Sequence, residues 1–243
     1  MLILGKDFET TGLDPAVHSV TEVGLVLWDT DLRAPIKIMG FLVDPGPNAV
    51  WDPVVLQINP SITPELCAKY GYQSERALKQ ILSWYQPADV ACAHNGTRFD
   101  RLFFNAWCQR HGYDPEPNKL WIDTNTDIEL PFPEKMSRKL SYMAADHSFL
   151  NPFPHRAVFD VMTMFRILDQ YDLDRVLYLA KQPNVNLQAL VSYDDKDLAK
   201  ARGYRWQEDP SNPGGKKIWM QTIKECFLEE EKTNAGFPVR IVT

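Results

Sequence analysis

Lys6-Asp7-Phe8-Glu9-Thr10-Thr11-Gly12 is the stretch on which the fold turns. It follows a short apolar run, Met1 to Leu4, and ends in Thr-Thr-Gly, so it reads as a strand running into a turn. Successive side chains of a strand point to opposite faces. Asp7 and Glu9 therefore share one face and converge on one volume, while Phe8 turns to the other face, where a core is expected. Two hard anionic oxygen donors so placed suit Mg2+ or Mn2+. Taken alone, such a pair at a strand edge is more often solvated decoration.

Two further acidic segments change the weighing. Asp100 ends the run His94-Asn95-Gly96-Thr97-Arg98-Phe99-Asp100, where a strand-like stretch from Asp89 to Ala93 gives way to an amphipathic helix carrying Leu102, Phe103, Ala106 and Trp107. Carboxylates are common near helix N-termini for electrostatic reasons, so this position is not diagnostic by itself. Asp160 opens another helical pattern, with Met164, Ile167 and Leu168 at core-facing spacing. His155 stands five positions ahead of it, after the loop Asn151-Pro152-Phe153-Pro154. Each feature alone has a bland explanation; their joint occurrence in this order is much harder to dismiss.

In that order the segments resemble the three motifs of the DEDD superfamily of 3′–5′ exonucleases, in its histidine-containing subtype. The matching stretches are DFETTGLDP from Asp7, AHNGTRFDRLFF from Ala93 and HRAVFD from His155. The resemblance spans roughly Met1 to Leu168 and is close to the epsilon proofreading subunit of bacterial DNA polymerase III and to exonuclease X. Phe8 departs from the many relatives with a smaller or polar residue there; it should face away from the site, so little consequence is expected.

The resemblance implies a fold, a reaction and a set of roles. The fold is α/β, a ribonuclease H-like mixed sheet flanked by helices. The reaction is hydrolysis at the 3′ end of single-stranded nucleic acid, DNA by preference, with release of nucleoside 5′-monophosphates. A phosphodiester is anionic and repels hydroxide, so its hydrolysis needs charge neutralisation, an aligned water and help for the departing oxygen. Two divalent cations, Mg2+ or Mn2+, supply all three. Asp7 would bridge both, Glu9 and Asp160 would complete the site of one, and Asp100 would serve the other. His155 is the general base; an imidazole must be neutral to act as one, so activity should rise from pH 5 to 8. Thr10 and Thr11 carry over as substrate contacts, with a purely turn-forming role for Thr-Thr-Gly left equally open. Asn95 is read as shaping its turn, and His94, Asp123 and His147 as structural. The alternatives are a 3′–5′ exoribonuclease of the same family and a non-catalytic nucleic-acid-binding scaffold. Loss of a ligand would favour the scaffold, but all four acids and the histidine are present.

The remaining composition bounds these readings. The chain has 243 residues with 44% hydrophobic content, enough for a full core. Its net charge of −6 argues against a general nucleic-acid coat but not against a nuclease, since bound cations reverse the potential locally. Cys67, Cys92, Cys108 and Cys226 form no C-x-x-C pair, which supports neither a zinc knuckle nor a disulfide scaffold. There is no stretch of membrane-spanning length and no signal-peptide pattern, so a cytoplasmic protein without membrane association is expected.

Alternating segments at Val20 to Trp28 and Ile36 to Val43 predict an antiparallel meander after the first strand. A Pro-rich crossing from Pro45 to Pro64 leads to a helix with Leu78, Ile81, Leu82 and Tyr85 on one face. A strand at Val90, the Asp100 helix, a strand at Leu120 to Ile122 and further helices to Leu168 follow. The domains expected are a nuclease over residues 1–180 and a small α+β C-terminal addition over 188–243. In the addition, strands are expected at Val191 to Tyr193, Tyr204 to Trp206 and Lys217 to Met220, with a helix over Asp195 to Arg202. The turn Asn212-Pro213-Gly214-Gly215 joins the last two strands, and a final helix contains Cys226, Phe227 and Leu228. At roughly 50 residues it has little core of its own. Trp206 and Trp219, among Lys196, Lys200, Arg202, Arg205, Lys216 and Lys217, either form a single-strand stacking platform or pack a miniature core, the latter favoured. A polymerase or helicase partner for this addition also stays open.

Overall fold

A computed structural model describes residues 1–117, 119–132, 136–209, 212 and 214–242. The chain forms two compact units, one from Met1–Glu129 with Ser137–Leu177, the other from Leu130–Met136 with Tyr178–Thr243, described residues only. In the first unit, β1 (Leu2–Thr10), β2 (Val20–Asp29) and β3 (Ala34–Asp44) make the expected antiparallel meander. The Pro-rich crossing holds two short helices, α1 (Pro53–Ile58) and α2 (Pro64–Tyr70). Each starts where a side chain accepts a backbone N–H ahead of a first-turn proline: Asp52 from Val54, and Thr63 from Leu66. Asp-Pro and Thr-Pro are N-terminal helix signals that the Pro-rich composition obscures.

After β4 (Tyr72–Gln73), the chain runs through α3 (Ser74–Tyr85), β5 (Val90–Ala93), α4 (Asp100–Arg110), β6 (Leu120–Asp123), α5 (Leu140–Asp146) and α6 (Ala157–Leu168). The sheet order is β4-β3-β2-β1-β5-β6, with β1 antiparallel to β2 and parallel to β5. This is the mixed sheet of a ribonuclease H-like fold. One face of β1 and β2 packs Leu4, Phe8, Val23 and Leu25 against Leu78, Ile81 and Trp84 of α3 and Phe103, Phe104 and Trp107 of α4. Fully burying an apolar side chain of this size stabilises by roughly 1.5–3 kcal/mol, so this cluster fixes which face of β1 is inward.

The opposite face of β1, the one bearing Asp7 and Glu9, receives α6. Two glycines make that approach close enough. A methyl group on Gly5 would lie 2.3 Å from the Phe165 ring, and one on Gly24 would lie 2.3 Å from the Ala157 backbone carbonyl carbon. Gly24 is the partner of Asp7 across the β1–β2 ladder, so the start of α6 rests on the sheet beside Asp7.

The division between the units falls within α7 (Leu173–Lys181). In the second unit, β7 (Asn184–Ala189), α8 (Lys196–Ala201), β8 (Arg205–Glu208), β9 (Lys217–Lys224), α9 (Leu228–Asn234) and β10 (Val239–Val242) build an antiparallel sheet of order β10-β7-β9-β8. Leu187, Ala189, Ala199 and Tyr204 are its fully buried centre, with Trp219, Ile223 and Phe237 packed around them. The helix expected at Asp195 to Arg202 and the β8–β9 pair are present, although Pro213 of the expected turn lies outside the described residues. Val191 to Tyr193 is not a strand. There the Ser192 hydroxyl donates to Asp195 at 2.7 Å and accepts the Asp195 N–H at 3.2 Å, a local turn that competes with extension. The sheet begins earlier, at Asn184, and closes with β10, which the sequence reading did not find. Among the described residues no helix is long and apolar enough to cross a membrane. All four cysteines are free, with Cys226 exposed and the others buried.

Candidate active site

β1 outruns its parallel neighbour: the β1–β5 pairing ends at Gly5 opposite Cys92, leaving the carboxyl end of β1 with an open edge. The Phe8 N–H on that edge donates to Asp100 Oδ1 at 2.9 Å. Asp100 is the first residue of α4 and is reached from β5 by a tight turn in which Asn95 has φ 61°. Asp123, buried at the end of β6, accepts the Asn95 N–H at 2.8 Å and the Thr97 N–H at 3.0 Å, so it shapes the turn that delivers Asp100. Asn95 and Asp123 thus have turn-building partners.

On the other side of β1, Glu22 of β2 stands directly across from Glu9. It is buried, accepts the Arg156 guanidinium at 2.8 and 3.0 Å, and accepts the Ala157 N–H at 3.1 Å. Glu22 thereby caps α6 and ties its first turn to the sheet. Asp160, on that first turn, has its Oδ1 held by the Asn151 side-chain amide at 2.5 Å. His155 precedes the helix in the left-handed backbone region, φ 61°, a conformation that costs about 1–2 kcal/mol for a residue with a β-carbon. Glu9, His155 and Asp160 each offer one ligand atom, and these atoms lie within 4.8 Å of one another.

The charges tell where Asp7 stands. Burial, then the charges of Asp100, Glu9, Asp160 and Glu22, push its carboxyl well above the usual range. Burial followed by Asp160 and Glu22 pushes Glu9 up to about 8. Burial raises Asp100 to about 7, against the opposing pull of Lys6 and the Phe8 N–H. Asp160 is raised to about 6, again by burial, with the His155 backbone and the Asn151 amide acting against it. All four acids found in the sequence are therefore brought within mutual electrostatic reach, with Glu9 and Asp160 joining His155 in the tight cluster. Crowded carboxyls in this state hold protons at the expense of charge, and a divalent cation removes that penalty. Hard oxygen donors with one imidazole fit Mg2+ or Mn2+.

Thr10 and Thr11 are buried. The Thr10 hydroxyl donates to the Gly12 carbonyl at 2.6 Å, and the Thr11 hydroxyl accepts the Ser19 N–H at 3.1 Å, so both side chains build the turn. His94 contacts Thr124 Oγ1 and the Arg138 carbonyl, and His147 contacts the Met143 carbonyl and the Tyr171 hydroxyl.

Sequence reading missed several residues that organise this place. Glu22 and Gly24 were hidden because nothing local marks a register partner. Asn151 was seen only as loop. Lys6 is the other surprise: it is fully buried on the Phe8 face and pairs with Glu116 at 2.5 Å, which also accepts from the Tyr85 hydroxyl and faces Arg101 at 3.2 Å. Burial lowers the Lys6 pKa and Glu116 opposes that shift. The signal was present as a lysine inside an otherwise apolar strand start.

A family model described as Exonuclease matches residues 4–168, and one described as a domain of unknown function (DUF8626) matches residues 185–242. No curated protein matches the sequence. Among solved structures, Escherichia coli exonuclease I in complex with a dA16 oligonucleotide is similar with a TM-score of 0.67 at 13% identity, over 97% of this chain and 68% of that one. The zinc-bound form of its single-stranded DNA complex gives 0.69 at 14% identity, over 97% and 68%. The complex with a dT13 oligonucleotide gives 0.64 at 14%, over 92% and 63%. At these identities the likeness is one of fold, and this chain spans about two thirds of the length of those chains.

Proposed function

The chain belongs to the exonuclease family, and from that premise we propose that it is a metal-dependent 3′–5′ exonuclease of the histidine subtype. It shortens single-stranded DNA from the 3′ end and releases nucleoside 5′-monophosphates. The observation that carries the reading is the meeting of Glu9, His155 and Asp160 ligand atoms within 4.8 Å, beside an Asp7 that feels the charge of every other acid in the set.

Asp7, Glu9, Asp100 and Asp160 would hold two divalent cations, Mg2+ or Mn2+, which when bound supply charge neutralisation, an acidified water and stabilisation of the departing oxygen. His155 accepts the proton of the attacking water and must be neutral to do so. Its ligand atom lies within 4.8 Å of those of Glu9 and Asp160, so the proton would be taken up beside the cations these acids would hold. The Thr10-Thr11-Gly12 turn supplies the floor for the terminal nucleotide through its backbone and the Thr11 O–H, while the Thr10 O–H is committed to the Gly12 carbonyl. DNA is preferred because structures sharing this fold carry dA16 and dT13 oligonucleotides. An exoribonuclease would use the same acids and differ in contacts to the sugar 2′ position.

Residues 1–180 act as the nuclease domain and 188–243 as a small accessory domain. Support comes from the break between compact units near Leu177 and from family matches that end at 168 and resume at 185. Trp219 packs in the core of the second unit, while Trp206 is 55% exposed, so any stacking falls to Trp206.

The test is degradation of 5′-labelled DNA and RNA oligonucleotides in parallel with Mg2+, with EDTA, and by Asp7→Ala. A ladder shortening from the 3′ end with Mg2+ alone, faster on DNA, is expected. Cleavage that persists in EDTA, or a strand that is never shortened by the wild type, overturns the reading.

A further inference from the structure

The imidazole assigned as base sits on an exposed loop, yet its backbone holds a left-handed conformation that residues with a β-carbon rarely adopt. Something outside the loop must select that conformation. The His155 carbonyl accepts a hydrogen bond from the Asn59 side-chain amide at 2.6 Å, across 96 positions of sequence. Asn59 is only 5% exposed and closes α1, where its own N–H donates to the Val55 carbonyl. The His155 carbonyl can only accept, so the amide nitrogen faces it and Oδ1 turns to Ser61, whose hydroxyl donates to it at 2.7 Å. The same amide lies near enough to Glu9 to oppose the upward shift that burial gives its carboxyl. One buried side chain thus ties the end of α1 to the loop that carries the base.

We propose that Asn59, braced by Ser61, is a positioning residue that locks the His155 loop in its left-handed conformation and so aims the imidazole at the Glu9–Asp160 cluster. This rests on the proposed function, in which His155 is the base. A general base must stand within hydrogen-bond reach of the proton it takes, so loosening the carbonyl anchor lowers turnover while leaving strand binding largely intact.

The experiment is a double-mutant cycle at saturating Mn2+, with kcat and KM read on a 5′-labelled DNA oligonucleotide. Asn59→Ala and Asn59→Leu should each lower kcat by about 10–100-fold in the wild-type background, as loss of an outer-shell partner does, with KM moving by less than about threefold. In a His155→Ala background the same substitutions should cost less than about threefold, because their route of action is already gone. Ser61→Ala leaves the donor in place but removes the hydroxyl that braces its Oδ1; it should show a smaller loss with the same dependence on His155, and it carries the test if the Asn59 variants do not fold. Equal losses in both backgrounds, or none in the wild type, overturn the positioning role and leave His155 as base. If His155→Ala itself turns over at the wild-type rate, the base assignment falls and the role of Asn59 falls with it.

Discussion

Both units bury acidic side chains, but they treat them in opposite ways. In the C-terminal unit Glu231 is nearly covered and fully answered: Arg202 donates to it at 2.5 and 3.1 Å, and the Tyr204 hydroxyl at 3.1 Å. In the nuclease unit Asp7, Glu9 and Asp160 are half-buried with other acids as their neighbours, and their carboxyls are driven upward. A few residues away, Lys6 and Glu116 show that the same unit can compensate buried charge when it builds structure. Buried charge that is paired holds a fold together. Buried charge left facing its like is stability withheld for a ligand that the folded protein is shaped to receive.

The sharpest way to break that contrast is Asp7→Ala. Cleavage of a labelled oligonucleotide should fall by more than the roughly 10–100-fold expected from losing an outer-shell group. At the same time the metal-free variant should melt no lower than the wild type at pH 8, because a repelling carboxyl has gone. The sign follows from the raised values of about 6, 7 and 8 for Asp160, Asp100 and Glu9. Carboxyls raised above their unfolded values contribute stability that is fully present below the ordinary carboxylate range and is lost as pH rises through the folded values. Melting of the metal-free protein should therefore decline between pH 5 and 8, and Mn2+ should restore it more at pH 8 than at pH 5. A metal-free melting temperature that climbs over this range would contradict the crowding.

Lys6→Met tests the compensated pair beneath the site. Losing the ammonium leaves Glu116 with only Tyr85 and Arg101, so a cost of about 3 kcal/mol in denaturant unfolding is expected, the lower end for breaking a buried pair. Gly24→Ala follows: the added methyl meets the Ala157 backbone, so overpacking of about 1–3 kcal/mol is expected, together with a loss of cleavage as the first turn of α6 is pushed off the sheet. The smallest effect belongs to the other unit. Tyr204→Phe removes one hydrogen bond to Glu231 and should cost about 0.5–1.5 kcal/mol with no change in the cleavage rate on short oligonucleotides.

Much of the site was legible because its chemistry is written in residue types that stand out. Asp7 and Glu9 share a face by strand periodicity alone, and Phe8 lies opposite them in the core as that periodicity requires. The meander, β5, β6 and the two helices that bear Asp100 and Asp160 follow from their apolar patterns. The C-terminal unit was read less well: β7 alternates Val185, Leu187 and Ala189 with asparagine and glutamine after Pro183, a short signal outweighed by the β-forming run Val191 to Tyr193 that the Ser192–Asp195 turn keeps from extending. Glu22, Asn59 and Asn151 were invisible for a different reason: each acts only through a partner remote in sequence or through a loop bond that composition does not announce.

The sequence by itself determined the inventory, four carboxylates and an imidazole, and strand periodicity says that Asp7 and Glu9 must point the same way. Tertiary structure alone decided that Glu22 falls opposite Glu9, that glycines at positions 5 and 24 admit a helix, and that a buried amide anchors the histidine loop. Local propensity acts over a few residues, whereas register, helix approach and long-range hydrogen bonds are settled only when distant segments compete for the same buried space.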